Sequence, residues 1–224
     1  MFFITKELEQ TIVKESNKRN PWWPLFSANF LSVFNDNLIK WLVVFVGIGW
    51  VAKESEASVI AAAGAALVIP FLLFGPWAGR LNRIYSKRKV WVYGKAAELP
   101  IALIAIYGFY IENLIVVMTS VLLMGVQSSL FSPAKYGLIR DVGGKERISF
   151  GTGAMEMLTF LGVLLGTFLA GILADKDFFD LRLMGFAMVT AAVLGYFSAK
   201  MIRADESPVD EKSKLYWFPP SLRS

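Results

Sequence analysis

A carboxylate and an amine lie near the middle of a long apolar stretch, residues 26–51, which reads FSANFLSVFNDNLIKWLVVFVGIGWV. The stretch is long enough to cross a bilayer as a helix. Asp36 and Lys40 are four residues apart, so on a helix they share a face and can form an ion pair. A charge in hydrocarbon costs about 3 kcal/mol or more. This face must therefore look into a protein interior or a watery cavity.

Two interpretations of these residues stay open. The first is a structural ion pair that holds neighbouring helices together. The second is a polar lining of a pathway through the membrane, with Asn35 and Asn37 adding hydrogen bonds, and intramembrane charge favours it. Glu156 lies inside a later apolar segment. It either contacts substrate or takes part in proton coupling, or it is a hydrogen-bonded structural carboxylate. Lys95 and Glu98, three residues apart, are better explained as a structural pair.

Composition places the whole chain in a membrane. It has 224 residues, of which 55% are hydrophobic, and a mean hydropathy of +0.51. Histidine and cysteine are both absent, which removes histidine bases, cysteine nucleophiles and the usual zinc and iron–sulfur ligands. We therefore expect an all-α membrane protein with no enzyme activity of its own, no metal and no cofactor.

Six apolar segments of helix length divide the chain. They cover residues 26–51, 59–79, 90–111, 114–131, 150–174 and 183–202. Residues 1–21 are charged and lack the apolar core of a signal peptide. We expect three units: an N-terminal segment at 1–21, a six-helix transmembrane bundle at 22–202, and a tail or linker at 203–224.

The positive charges are distributed unevenly between the two sides that six spans define. Of the 23 Lys and Arg residues, eighteen lie in the N-terminal segment, the second and fourth loops and the tail. The other side carries three, which are Lys53, Lys176 and Arg182. Positive loops stay in the cytoplasm, so this asymmetry predicts that both termini are cytoplasmic. It also accounts for the net charge of +5 without a nucleic-acid partner.

Three short stretches carry a resemblance to a known family. They read FLSVFNDN at residues 30–37, SPAKYGLI at 132–139 and GAME at 153–156. With the six spans and the basic second loop, they resemble the N-terminal half of the major facilitator superfamily, and within it the bacterial lysophospholipid transporters. The resemblance implies one six-helix bundle, half of a twelve-helix transporter, in the bacterial inner membrane. A second six-helix bundle would then be its partner.

The resemblance also implies roles for particular residues. Lysophospholipids would cross the membrane by alternating access, with the head group held near the bilayer midplane. The substrate-binding residues would be Asp36, Asn35, Asn37, Lys40 and Glu156. Asp36 would face an amine of the head group, while Lys40 or a basic residue of the second bundle would hold its phosphate.

The basic loop between the second and third helices resembles the gating loop of the superfamily. The implied gate residues are Gly79, Arg80, Arg83, Lys87 and Arg88. Arg83 stands where the family pattern has an acidic residue. The same charges also suit a loop that only fixes topology and attracts anionic lipid head groups.

Other functions remain compatible with these patterns. One is transport of a different small molecule, such as a drug, sugar or siderophore, since one fold serves many functions. Another is a non-transporting membrane anchor for an acyltransferase, either fused or associated. The absence of histidine excludes from this chain the histidine motif that such acyltransferases share. Membrane lipids are partners under every interpretation.

Overall fold

The computed structural model describes residues 22–175, 180–204 and 206, and the regular elements of these residues are all helical. Six helices are long and apolar enough to cross a membrane, which confirms the predicted all-α bundle. They are α1 (Trp23–Gly47), α2 (Glu56–Ile84), α3 (Lys87–Tyr110), α4 (Leu114–Gly143), α5 (Ile148–Ala174) and α6 (Leu181–Lys200). The predicted segment 1–21 and nearly all of the predicted tail lie outside the described residues.

The fourth helix is longer than the sequence predicts. We expected it to end near residue 131, but α4 continues to Gly143 and includes Pro133. Proline is tolerated inside a membrane helix because neighbouring groups satisfy the carbonyl that it frees. Pro70 and Pro76 lie inside α2 in the same way. As a result Lys135 and Arg140, predicted to be loop residues, belong to a membrane-spanning helix.

Side-chain caps fix where three helices begin. Asn113 accepts hydrogen bonds from the backbone amides of Ile115 and Val116 at 3.0 and 3.2 Å, so α4 starts at residue 114, where the fourth apolar segment of the sequence begins. Ser86 caps α3, and Asp180 caps α6. Each cap satisfies amides that a helix leaves unpaired in its first turn.

Helices α1 and α4 hold the bundle together. Helix α1 packs against α5, α6 and α4, and α4 packs against α2 and α3, while α3 and α6 close the far side. The contact between α1 and α5 depends on glycine: a Cβ at Gly162 would lie 3.1 Å from the carbonyl oxygen of Phe30. A Cβ at Gly166 would lie closer still to the α1 backbone, against the carbonyl oxygen of Phe34. Small residues of this kind let two membrane helices approach closely.

Candidate functional site

A partly open cavity of about 120 Å³ lies among α1, α2, α3 and α4. Several polar side chains line it beside aromatic ones, although the helices around it are mainly apolar. The polar lining includes Asn29, Ser32, Asp36, Ser128, Ser132 and Lys135. Polar groups at this depth of a membrane protein are retained where they face one another or water.

The Asp36 side chain lines this cavity, and one of its two carboxylate oxygens is hydrogen-bonded. Its Oδ2 accepts a hydrogen bond of 2.9 Å from the hydroxyl of Ser128 on α4. Its Oδ1 is buried and has no hydrogen-bond partner among the described residues. A buried acceptor without a partner costs free energy, so a water molecule or ligand that reached this oxygen from the cavity would be stabilised there.

Asp36 and Lys40 do not form the ion pair on which one of the two interpretations of their spacing depends. Within the described part of the chain, no salt bridge joins the two side chains. The Lys40 ammonium lies 4.8 Å from the centre of the Trp41 ring, a cation–π distance. Helical spacing brought the two residues to neighbouring turns, but each found a different partner.

Lys135 is the basic residue that lines the cavity. Its ammonium donates a hydrogen bond of 3.3 Å to Asn29 Oδ1 and lies 5.0 Å from the Tyr136 ring centre. The Asn29 amide in turn donates to Thr159 on α5 at 3.1 Å. Asn29 and Asp36 are seven residues apart on α1, or about 10 Å along the helix axis. One cavity therefore has a carboxylate at one level and an ammonium at another.

The remaining predicted binding residues lie outside the lining of this cavity. Asn35 is fully buried, and neither atom of its amide has a partner in the described residues. Asn37 donates to the carbonyl of Val33 in its own helix at 2.8 Å. Glu156 accepts a hydrogen bond of 2.9 Å from the hydroxyl of Tyr136. Of the five predicted residues, the structure thus brings Asp36 alone to the cavity wall.

Most of the predicted gating loop is helical. Helix α2 continues to Ile84 and α3 begins at Lys87, which leaves two residues between them. Gly79 and Arg83 are exposed on α2, and Arg80 lies between them on the same helix. The charges of this region thus sit on two helix ends rather than on a flexible loop.

Lys87 and Arg88 connect this region to other helices. Lys87 forms an ion pair of 2.5 Å with Asp141 near the end of α4. Arg88 donates a hydrogen bond of 2.8 Å to the carbonyl of Lys200, the last residue of α6. The ends of α3, α4 and α6 are therefore tied together on one side of the bundle.

A carboxylate from the tail binds at the start of α3. Glu206 accepts hydrogen bonds from the Ser86 hydroxyl at 2.8 Å and from the backbone amides of Lys87 and Arg88 at 2.9 and 3.0 Å. The N-terminus of a helix favours an anion because its first amides are unpaired and its dipole is positive there. Sequence analysis missed this contact, since nothing near Glu206 in the sequence points to a helix 118 to 120 residues away.

These features define a class of protein: a multi-pass membrane protein whose helices surround a cavity lined in part by polar and charged side chains. Residues 25–221 match the Major Facilitator Superfamily. The chain therefore belongs to that superfamily, as the sequence motifs indicated.

Several curated relatives share one description. The lysophospholipid transporter LplT of Serratia proteamaculans is 28% identical over 148 residues, which are 66% of this chain and 35% of the relative. The lysophospholipid transporter LplT of Citrobacter koseri is 26% identical over 151 residues, 67% of this chain and 36% of the relative. The matched part thus spans about a third of the length of these relatives. No solved structure gives a significant match.

Proposed function

We propose that this chain is one half of a transporter that moves lysophospholipids across the bacterial inner membrane by alternating access. The observation that carries the proposal is the cavity in which Asp36 and Lys135 face the same space. The similarity to proteins described as lysophospholipid transporters supports the substrate class. Transporters of this architecture bind substrate near the midplane, between two bundles that rock against each other.

A zwitterionic head group matches the charges of the cavity. Asp36 Oδ1, which lacks a partner among the described residues, accepts from the ammonium of a phosphoethanolamine head group. Lys135 has one long hydrogen bond in this structure and donates to the phosphate. Lys135 thus takes the role that the sequence analysis gave to Lys40, because Lys40 is held by Trp41 away from the cavity lining.

The volume of the cavity limits what it binds. Pockets that enclose a drug-sized ligand measure roughly 300–1,000 Å³, whereas this one measures about 120 Å³. The head group enters and the acyl chain stays outside. Phe71 and Phe131 also line the cavity, and they give the first carbons of that chain an apolar surface.

A second six-helix bundle completes the transporter in this proposal. In the most apolar 18-residue segments of α2 and α5, 17% and 22% of the residues are buried, against 39–44% in the other four helices. Their exposed faces are available to the second bundle and to lipid. We place residues 1–21, the α2–α3 connection and the segment 203–224 in the cytoplasm, where the last would link the bundles. The charged ends of α2 and α3 would form the gate, and an acyltransferase, fused or associated, would use the lipid delivered.

Uptake of a labelled lysophospholipid tests this function directly. In the transporter containing this chain, Asp36→Ala is expected to abolish uptake while expression stays near normal. Asn37→Ala is the matched control, because Asn37 neighbours Asp36 but bonds to its own helix, and its uptake is expected to match that of the wild type. Full uptake by a well-expressed Asp36→Ala variant would remove Asp36 from the mechanism. A wild type that takes up no lysophospholipid would refute the proposed substrate.

A further inference from the structure

An ion pair is buried in α3 immediately behind the cavity wall. Lys95 and Glu98 are each 2% exposed, and the Lys95 ammonium donates to both oxygens of Glu98 at 2.9 and 3.2 Å. The predicted pairing of Lys95 with Glu98 is thus confirmed. Neither residue lines the cavity, so the pair does not touch a ligand there.

Glu98 nevertheless reaches the cavity through one hydroxyl. Ser32 of α1 lines the cavity and donates a hydrogen bond of 2.6 Å to Glu98 Oε1. A carboxylate that is paired with an ammonium has no proton to give, so it acts as an acceptor. The single hydrogen of the Ser32 hydroxyl is therefore committed to Glu98. The side of this oxygen that faces the cavity presents lone pairs.

A second acceptor lies one turn further along the same face of α1. Ser32 and Asp36 are four residues apart, so their side chains are neighbours on the helix surface. Asp36 Oδ1 is buried without a partner in the described residues. Ser32 and Asp36, two neighbouring side chains of α1 that line the cavity, therefore both offer hydrogen-bond acceptors. The donors lie on other helices: the Lys135 ammonium on α4 and the Trp91 indole N–H on α3, which also has no partner among the described residues.

We propose that Lys95 and Glu98 are positioning residues that fix the hydrogen-bond polarity of this wall through Ser32, so that the cavity selects head groups carrying N–H donors. The inference rests on the proposed function and names the selectivity of the same site. A primary ammonium gives hydrogens to both acceptors. A trimethylammonium group carries the same charge and gives none. Charge alone attracts both groups to Asp36, so the difference between them measures hydrogen bonding.

The test compares two lysophospholipids that differ in head group alone. Purified protein in nanodiscs is titrated with lysophosphatidylethanolamine and with lysophosphatidylcholine of the same acyl chain. Each good hydrogen bond between a charged donor and its acceptor changes affinity by about tenfold or more. The wild type is expected to prefer the ethanolamine lipid by at least about tenfold. The double variant Lys95→Met with Glu98→Leu is expected to reduce that preference to about threefold or less.

The double variant also separates polarity from folding. Apolar residues of similar volume often replace a buried ion pair without loss of stability, so a structural role alone leaves the preference unchanged. Ser32→Ala is a second variant that keeps the pair and removes the acceptor, and it is expected to weaken ethanolamine-lipid binding while choline-lipid binding stays the same. Ser32→Thr keeps the hydroxyl and is expected to restore the preference.

Each result separates the two claims. An unchanged preference in both the double variant and Ser32→Ala would overturn the positioning role while lysophospholipid binding stands. Equal binding of the two lipids by the wild type would also overturn it. If the wild type binds neither lipid, the proposed function fails, and this inference fails with it.

Discussion

Lys135→Met tests the part of the site that the sequence analysis missed. The substitution removes the charge and keeps the length and the apolar stem of the side chain. Among the described residues Lys135 makes one hydrogen bond, to Asn29 Oδ1, and one ring contact, with Tyr136. The bond of 3.3 Å is longer than a strong bond from a charged donor, so each contact is worth about 1 kcal/mol. The thermal stability of the unliganded protein is therefore expected to change little. A hydrogen bond from an ammonium to a phosphate contributes about 1.5–3 kcal/mol.

The expected loss of affinity follows from that range. About 2 kcal/mol corresponds to roughly a thirtyfold increase in Kd for a lysophospholipid. The Kd is measured by fluorescence anisotropy, with a lysophospholipid that carries a fluorophore on its acyl chain and protein in nanodiscs.

Lys40→Met is the matched control for this measurement. Lys40 also lies on a membrane-spanning helix, but its ammonium lies over Trp41 and not in the cavity lining. Its Kd is expected to stay within about threefold of the wild type, since no hydrogen bond to the head group is lost. A Lys135→Met variant that binds as well as the wild type would refute the assignment. An equal loss in both variants would show that general membrane charge, not the cavity, decides binding.

Two further predictions concern the fold and the tail. Gly166→Ala is expected to lower the melting temperature, because the added Cβ meets the α1 backbone. Overpacking of this kind typically lowers the free energy of unfolding by about 1–3 kcal/mol. A Cβ added at Gly153, on the same helix, would have no neighbouring atom within 4 Å. The melting temperature of Gly153→Ala is therefore expected to be at least that of the wild type. An equal fall in melting temperature in both variants would contradict the close packing of α1 against α5. Glu206→Ala is expected to speed hydrogen exchange at the Lys87 and Arg88 amides about tenfold, because each loses a hydrogen bond to a charged group. Glu146→Ala, an exposed carboxylate elsewhere, is the control, and unchanged exchange in Glu206→Ala would exclude the tail contact.

The number of helices and one of their ion pairs were predictable because both depend on local sequence. Apolar segments of sufficient length specify membrane helices, and the described part of the chain has six. Lys95 and Glu98 pair across a single turn, so spacing alone brings them together. The glycines at positions 162 and 166 follow the same logic, because small residues four apart form a smooth strip on one face of a helix.

The partners of Asp36 were not predictable in this way. Its hydrogen bond comes from Ser128, which is 92 residues away in the chain, and no local pattern connects the two. Lys40 was nearer in sequence, but an i, i+4 spacing only permits a pair and does not impose one. The packing of α1 against α4 brings Ser128 to Asp36, and no local sequence pattern predicts that packing.

Lys135 was missed because the fourth helix was predicted to end near residue 131, two residues before Pro133. A membrane helix tolerates proline, and α4 continues for ten residues beyond it to Gly143. One signal was present in the sequence: Lys135 follows a serine-rich turn of an apolar helix at residues 128–132, and a lysine inside a span indicates a site. Counting it as a loop charge hid that signal.

Accessibility of the cavity to a charged thiol reagent tests the central claim most directly, since the sequence has no cysteine of its own. Ser132 lines the cavity, whereas Ser129 on the same helix is 2% exposed and bonds to the carbonyl of Val126. Single-cysteine variants at the two positions are treated with a small charged methanethiosulfonate, with and without lysophospholipid. The account predicts that Ser132→Cys reacts and is protected by the lipid, while Ser129→Cys does not react. If neither variant reacted in the absence of lipid, that result would contradict a water-accessible cavity beside Asp36.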